Sequence, residues 1–323
     1  MSIHRINLPH TGPQRLPFYL AAEEWIARNL PSGEYFFAWQ VAPSVICGRH
    51  QEAAVEIDLD FCHRNNIGIY RRKSGGGAVY ADMNNIMFSY VGPAAAVQDA
   101  FDHYTSRVVG ALRQLGLEAE PSGRNDILIG GRKVAGNAFW RCGDRCIVHG
   151  TMLYDTDDYA MSHALTPSRA KLLSHKVLSV QSRVTTIKSY RPSLSLDDFM
   201  SHILDTVCSG SVDLPAVALP AIKDIEREYY VENFASASAA IDVVHVEGVG
   251  NIYLNVKSSG NTIEEVCLSG DFFCHGDLEG SLRRLRGITV AEDAIERALG
   301  TTPVVASLDN AHLARLIVNR HQS

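Results

Sequence analysis

No stretch of this chain approaches the ~20 consecutive apolar residues that a membrane helix requires, which argues against a membrane protein. The opening residues, MSIHRINLPHTGPQRLPFYL, lack the uninterrupted apolar core of an export signal, so a cytoplasmic protein is expected. An excess of positive charge is also missing. Against 36 acidic residues stand 30 lysines and arginines, a net charge of −6, and a nucleic-acid partner is not expected. The seven cysteines are odd in number and scattered, which speaks against a disulfide framework and for small buried apolar residues. Two nucleotide signatures are absent as well. No G-x-x-x-x-G-K-[ST] occurs, and Tyr80 stands where a dinucleotide fingerprint needs its third glycine.

What is present reads as a chain of 323 residues with an ordinary globular balance, 46% apolar and 20% charged, long enough for two domains. HRINL is predicted as a strand. A helix follows over 18–29, where apolar residues recur at helical spacing until Pro31-Ser32-Gly33. EYFFAWQVAPSVICG reads as two strands broken at Ala42-Pro43, IDLDFCHRNNIG as a short helix, and IGIYRR as a strand. NNIMFSYVG is a further strand and AVQDAFDHYTSRVVGALRQLG an amphipathic helix. DILIGGRKVAGNAFW reads as a hairpin turning at Gly130-Gly131, with CIVHGTMLYD as the next strand. Helices are expected over 167–176 and 195–208, a connection at GSVDLPAVALP, and a helix at AIKDIEREYYVENF. The Ala/Ser-rich run at 235–240 marks a hinge between residues 1–237 and 238–323. Beyond it, three strands and two helices make a small α+β domain.

Three blocks carry the chemistry. In RRKSGGGAVYADMNN, residues 71–85, Gly75, Gly76 and Gly77 separate two strands, where glycine is otherwise costly. A bulge or sharp turn would explain them, and so would a ligand lying closer to the backbone than a Cβ allows. Arg71 and Arg72 alternate in facing, so one of them points into a site, and arginine suits phosphate or carboxylate. In GRNDILIGGRKVAGNAFW, residues 123–140, Arg124, Asn125 and Asp126 close a turn and Lys133 lies on the returning strand. Strand alternation puts Lys133 on one face with Ala135 and Asn137, beside Gly136, where it could neutralise charge on a phosphoryl or carbonyl oxygen. In VHGTMLYD, residues 148–155, His149 reads either as a satisfied core histidine or as part of a site. Cys142-x₃-Cys146-x₂-His149 departs from the common zinc spacings and lacks a second ligand pair.

In this order the blocks resemble the lipoate–protein ligase family. The first is similar to its RRxSGGGAVxHDxGN segment, the second to GRND…RKxSGxA and the third to HGTLL. LLSHKVLSVQSRVTTI, residues 172–187, resembles the stretch ending V-x-S-R-V-T-N, and Glu23-Glu24 and Cys47-Gly48-Arg49-His50-Gln51 also fit. The resemblance spans about residues 15–190, with a more distant likeness to biotin ligases. It implies an α+β catalytic domain of mixed sheets flanked by helices, plus a small α+β accessory domain.

The activity it implies has two steps. Lipoate's carboxylate attacks the α-phosphate of ATP with Mg²⁺, and a lysine of an acceptor domain then takes the lipoyl group from lipoyl-AMP. The acceptors implied are 2-oxoacid dehydrogenase E2 subunits and the glycine cleavage H protein. Carried over, Arg72 and Lys133, from two neighbouring strands, would meet the phosphate and the lipoyl carbonyl. Gly77, Ala78, Val79 and Tyr80 would line the nucleotide, with Ser74, Gly75 and Gly76 beside the acyl chain. Asn85 and Asp126 would hold nucleotide and metal-phosphate groups, Asp126 with Mg²⁺, and His149 would line the pocket. Ala81, Asn84, Ala135 and Val148 depart from the family's His, Gly, Ser and His, and YYVENFASASAA stands in place of its Trp-containing linker. Two other readings are an octanoyl or lipoyl transferase working through Cys142 or Cys146, and a lipoate- or adenylate-binding regulator without turnover.

Overall fold

The computed structural model describes residues 2–9, 14–122, 124–166, 183–229 and 243–321. The helix expected over 167–176, the hinge at 235–240 and the boundary at 237/238 lie outside the described residues. Of the 172–187 segment, only 183–187 is described.

Strands β1 (Ile3–Asn7), β2 (Glu34–Trp39), β6 (Asn85–Pro93), β7 (Ala119–Pro121), β8 (Asp126–Ile129), β9 (Arg132–Cys142), β10 (Arg145–Leu153) and β11 (Gly210–Asp213) form one mixed sheet. Its order is β11-β1-β2-β6-β10-β9-β8-β7, with β1 parallel to β2 and β11 and the remaining pairs antiparallel. The central strands are covered on both sides, which is why they read as almost unbroken apolar runs. Along β6, Ile86, Phe88 and Tyr90 enter one core while Met87 and Val91 enter the other. The Val97–Gln114 and Leu196–Val207 helices cover the first face, and the Leu16–Asn29 and Ala218–Glu226 helices the second. β11 and the last of these helices occupy the segment expected to be a bare connection. Pro220 does not prevent the helix, because it sits in the first turn, where no intrahelical N–H donor is needed.

A second, three-stranded sheet stands beside the first, in the order β4-β3-β5, from β3 (Ser44–Cys47), β4 (Gly68–Arg71) and β5 (Val79–Ala81). The glycine block is therefore the crossing from β4 to β5. Arg72 and Lys133 thus come from two different sheets, not from neighbouring strands.

β12 (Val243–Val246), β13 (Gly250–Ser259) and β14 (Thr262–Gly270) form the third sheet, an antiparallel one. With the helices Leu278–Arg283, Glu292–Leu299 and Asn310–His321 it encloses its own core around Ile252, Leu285, Ile295 and Ile317. The last helix is an addition to the two expected here.

This small body is keyed into the large one. Phe273 packs edge-on against Phe101, with ring centroids 5.2 Å apart. The Gly270 N–H donates to the His50 carbonyl at 2.7 Å, and Gln51 Nε2 donates to Asp271 Oδ1 at 2.6 Å. Phe101 is 2% exposed and also meets Phe139. Phe101→Ala is expected to cost about 3–5 kcal/mol in urea unfolding, with faster amide exchange around Phe273 as its nearest consequence.

Candidate functional site

The glycine block is held in shape by one buried guanidinium. Arg72 donates from Nη1 to the Ile46 carbonyl at 2.9 Å and from Nη2 to the Gly75 and Gly77 carbonyls, both at 2.8 Å. Burial brings its pKa down to about 10, so it stays charged at neutral pH. Arg71 faces the other way, donating to the Gly48 and Gln51 carbonyls, as strand alternation predicted. Bare backbone is required here for a reason that only the packing discloses. A Cβ at Gly75 would stand 2.3 Å from the Phe272 carbonyl of the small domain. Gly76 has a φ of +87°, and its N–H donates to that same carbonyl at 3.1 Å. Gly76 and Gly77 also line a cavity of about 450 Å³, within the usual range for a small-molecule site.

Lys133 reaches this cavity from the opposite wall. The β8–β9 register shifts between Ile127 and Leu128, so Val134 is an extra residue on β9 and alternation fails there. Val134 and Ala135 turn into the core, and the Lys133 side chain lies across Gly136. A Cβ on Gly136 would stand 2.4 Å from Nζ and 2.6 Å from Cε. Asn137, expected on the face of Lys133, lines the same cavity. Its Nδ2 donates to the Asn125 carbonyl, and Asn125 Nδ2 returns the bond to the Asn137 carbonyl, each at 2.6 Å. That clasp shapes the turn before β8.

Lys133 Nζ lies 2.7 Å from Asp126 Oδ1, while Arg183 Nη2 reaches Asp126 Oδ2 at 2.9 Å. Burial would raise the Asp126 pKa, but Lys133 and Arg183, with Arg124 behind them, hold it below the ordinary carboxylate value. Both its oxygens therefore face cations at hydrogen-bond distance. Among the described residues no group of three or more His, Cys, Asp or Glu could hold a metal ion. In this arrangement a magnesium ion at Asp126 would have to displace Lys133 or Arg183.

The cavity also has apolar lining residues, among them Leu20, Trp39, Ile46, Met87 and Ala138. Trp39 is fixed by stacking on Tyr19, with centroids 4.6 Å apart, and by donating to Ser89 Oγ at 2.7 Å. His149 also lines the cavity. Its Nε2 lies 2.7 Å from Ser74 Oγ and its Nδ1 2.7 Å from Glu23 Oε2. Ser89 Oγ donates to Glu23 Oε1 at 2.5 Å. With Nδ1–H donating to the Glu23 carboxylate, Nε2 is the ring nitrogen that faces the Ser74 hydroxyl.

Of the residues expected in the site, Arg72, Gly76, Gly77, Ala78, Val79, Tyr80, Asp126, Lys133 and His149 line this one cavity. Ser74 and Gly75 lie behind the lining, Ser74 on His149 and Gly75 against Phe272. Asn85 is fully buried outside the lining, accepting from the Thr156 hydroxyl. In the sequence, Glu23 and Arg183 stand out only as parts of segments that resemble the family, and Trp39 not at all. A carboxylate in the otherwise apolar first turns of a helix is the one signal for Glu23. Cys142 and Cys146 are outside the lining, and burial raises both thiols, Cys146 to about 11. Neither is poised as a nucleophile.

Residues 16–208 match the family model described as lipoyl protein ligase A/B catalytic domain, and 244–318 the one described as bacterial lipoate protein ligase C-terminus. Lipoate–protein ligase 1 of Staphylococcus aureus is 36% identical over 315 residues, 92% of this chain and 95% of that protein. Among solved structures, Plasmodium falciparum LipL1 in complex with lipoate superposes with a TM-score of 0.79 at 16% identity, covering 99% of this chain and 100% of that one. A bipartite ligase of Thermoplasma acidophilum, described with its E2 lipoyl domain, gives 0.62 at 26% identity over 75% and 100%. A lipoate–protein ligase A bound with ATP gives 0.58 at 27% identity over 70% and 93%. With the catalytic model matched across all three sequence blocks and a relative aligned almost end to end, the chain belongs to the lipoate–protein ligase family.

Proposed function

We propose that this cavity is where the chain joins lipoate to ATP and passes the lipoyl group on. The observation that carries the reading is the meeting, in the lining of one cavity, of the Lys133 ammonium and the Arg72-braced glycine loop with the apolar side chains of Leu20, Trp39, Ile46, Met87 and Ala138. An acyl chain suits the apolar side chains, and the ammonium and loop suit a carboxylate beside a phosphate. Those two anions repel each other, so bringing them together is the difficult part, and fixed cations with oriented amides reduce that cost. A carboxylate oxygen of lipoate attacks the α-phosphorus, the P–O bond to pyrophosphate breaks, and a mixed anhydride forms. The amine of an acceptor lysine then attacks the lipoyl carbonyl, AMP leaves, and the amine gives up a proton as the amide forms. An activated anhydride needs no nucleophile from the protein, in keeping with the inert cysteines.

Lys133 is assigned to the developing charge between phosphate and carbonyl, and Gly76 to Tyr80 to the nucleotide. His149 and Ser74 belong beside the head group of the acid. Arg72 acts from beneath, keeping the loop in register, since three of its four Nη N–H donors are already committed to carbonyls. Magnesium would arrive with the ATP phosphates, as it commonly does, and no step is assigned to it. The two chain regions 1–237 and 238–323 would act as catalytic and accessory domains. The acceptors are lipoyl-bearing domains such as E2 subunits of 2-oxoacid dehydrogenases and the glycine cleavage H protein. All seven cysteines are free thiols, which fits a reducing cytoplasm. No helix among the described residues is long and apolar enough to cross a membrane.

Mass spectrometry of an acceptor domain incubated with the protein, ATP and lipoate tests the reading. A lipoyl mass gain that requires ATP is expected. A gain obtained only from an acyl-carrier donor would instead mark a transferase, and lipoate binding without any gain a regulator. Lys133→Ala should reduce lipoate-dependent pyrophosphate release to background while the protein still folds and unfolds cooperatively in urea, at a lower midpoint because Asp126 loses one of its two cations. Gly136→Ala should lower the same rate by about tenfold or more, because the added methyl occupies the path of the lysine side chain. Near-normal turnover in Gly136→Ala would mean that the lysine position seen here is not the working one.

A further inference from the structure

The cations around the cavity fall into two kinds. Arg72, buried, and Arg124, half-buried, donate to main-chain carbonyls, Arg124 to those of Val249 and Asp271. Lys133 and Arg183 meet a side chain instead, one on each oxygen of Asp126, and each stays partly open, with side chains 21% and 24% exposed. Their main chains are tied as well. Val184 pairs with Lys133 in a parallel bridge, and the Thr185 N–H donates to the Lys133 carbonyl at 2.8 Å. Arg183 is thus fixed in register beside Lys133 by both backbone and carboxylate, although the two residues are far apart in sequence.

Two positive charges around one negative leave a net positive charge facing the cavity. A divalent cation approaching Asp126 would meet an ammonium and a guanidinium at contact distance, which Coulomb repulsion opposes. A polyphosphate would be drawn to the same place, and arginine offers it a planar fork of five N–H donors, of which Asp126 holds one edge.

We propose that Arg183 binds phosphate in the nucleotide subsite, and that Asp126 is a positioning residue bracketing Arg183 with Lys133, not a magnesium ligand. The assignment rests on the ATP-dependent ligase reading. It also gives the end of the 172–187 segment a chemical role, because its arginine closes the phosphate site that Lys133 opens.

Calorimetry with ATP, in magnesium buffer and in excess EDTA, tests this, with lipoate titrated as the control ligand. Arg183→Ala should weaken ATP binding about ten- to a hundredfold in both buffers, the loss of one or two charge-assisted hydrogen bonds. Lipoate affinity should change by less than about twofold, and Arg183→Lys should restore part of the ATP affinity. Asp126→Asn should weaken ATP by a similar factor whether or not magnesium is present. ATP binding by Arg183→Ala at the parental level would overturn the assignment. So would equal losses of lipoate and ATP, which would make Arg183 part of the scaffold. An Asp126→Asn effect confined to the magnesium buffer would return Asp126 to the metal. Should the unaltered protein itself fail to bind ATP, the ligase reading falls, and this assignment with it.

Discussion

Three main-chain carbonyls converge on the guanidinium of Arg72, and the site depends on that convergence. The glycine loop has almost no side chains with which to define its own path, so a buried charge defines it instead. A guanidinium can do this because it is planar, multidentate and still ionised when desolvated. Once the loop is set, the Gly76 amide meets the Phe272 carbonyl, and Gly76 and Gly77 are left at the cavity wall. One constraint therefore shapes the binding surface and seats the small domain. The glycines serve both purposes, since a Cβ at Gly75 would strike the small domain's backbone.

Opposite the loop the design is reversed: there a carboxylate organises cations. Asp126 is buried yet held ionised by Lys133 and Arg183. A buried carboxylate without partners would rather take up a proton, so the pairing secures its charge as well as theirs. Further in, Glu23 plays a comparable part toward His149, fixing which ring nitrogen faces the Ser74 hydroxyl. Around Asp126 and Glu23 the charged groups come as bonded sets, which low dielectric surroundings favour.

The apolar lining of the cavity follows from the sheet's two-sided burial. Trp39 and Met87 project from neighbouring strands toward the Leu16–Asn29 helix, where Leu20 meets them. Ser89 interrupts that apolar face once, at the place where Glu23 and the Trp39 indole both need a hydroxyl. The thiols of Cys142 and Cys146 stay out of the chemistry for the same reason that they suit the core: burial outweighs the cations near them and raises their pKa.

Local patterning in the sequence determined the strands and helices of the large sheet, the hairpin carrying Lys133, and the presence of a separate carboxy-terminal core. It also determined the three blocks that identify the family. Each is a property of spacing along a few neighbouring residues, where periodicity and turn chemistry act. Only the tertiary structure decided which face Lys133 presents, because one extra residue at Val134 reverses the alternation from which that face was read. It alone joined Arg183 to Asp126 and Glu23 to His149, pairs separated by 57 and 126 positions. And it alone showed that the bare glycines also make room for another backbone. Contacts of that kind depend on how sheets pack in space, a quantity that no local window of residues contains.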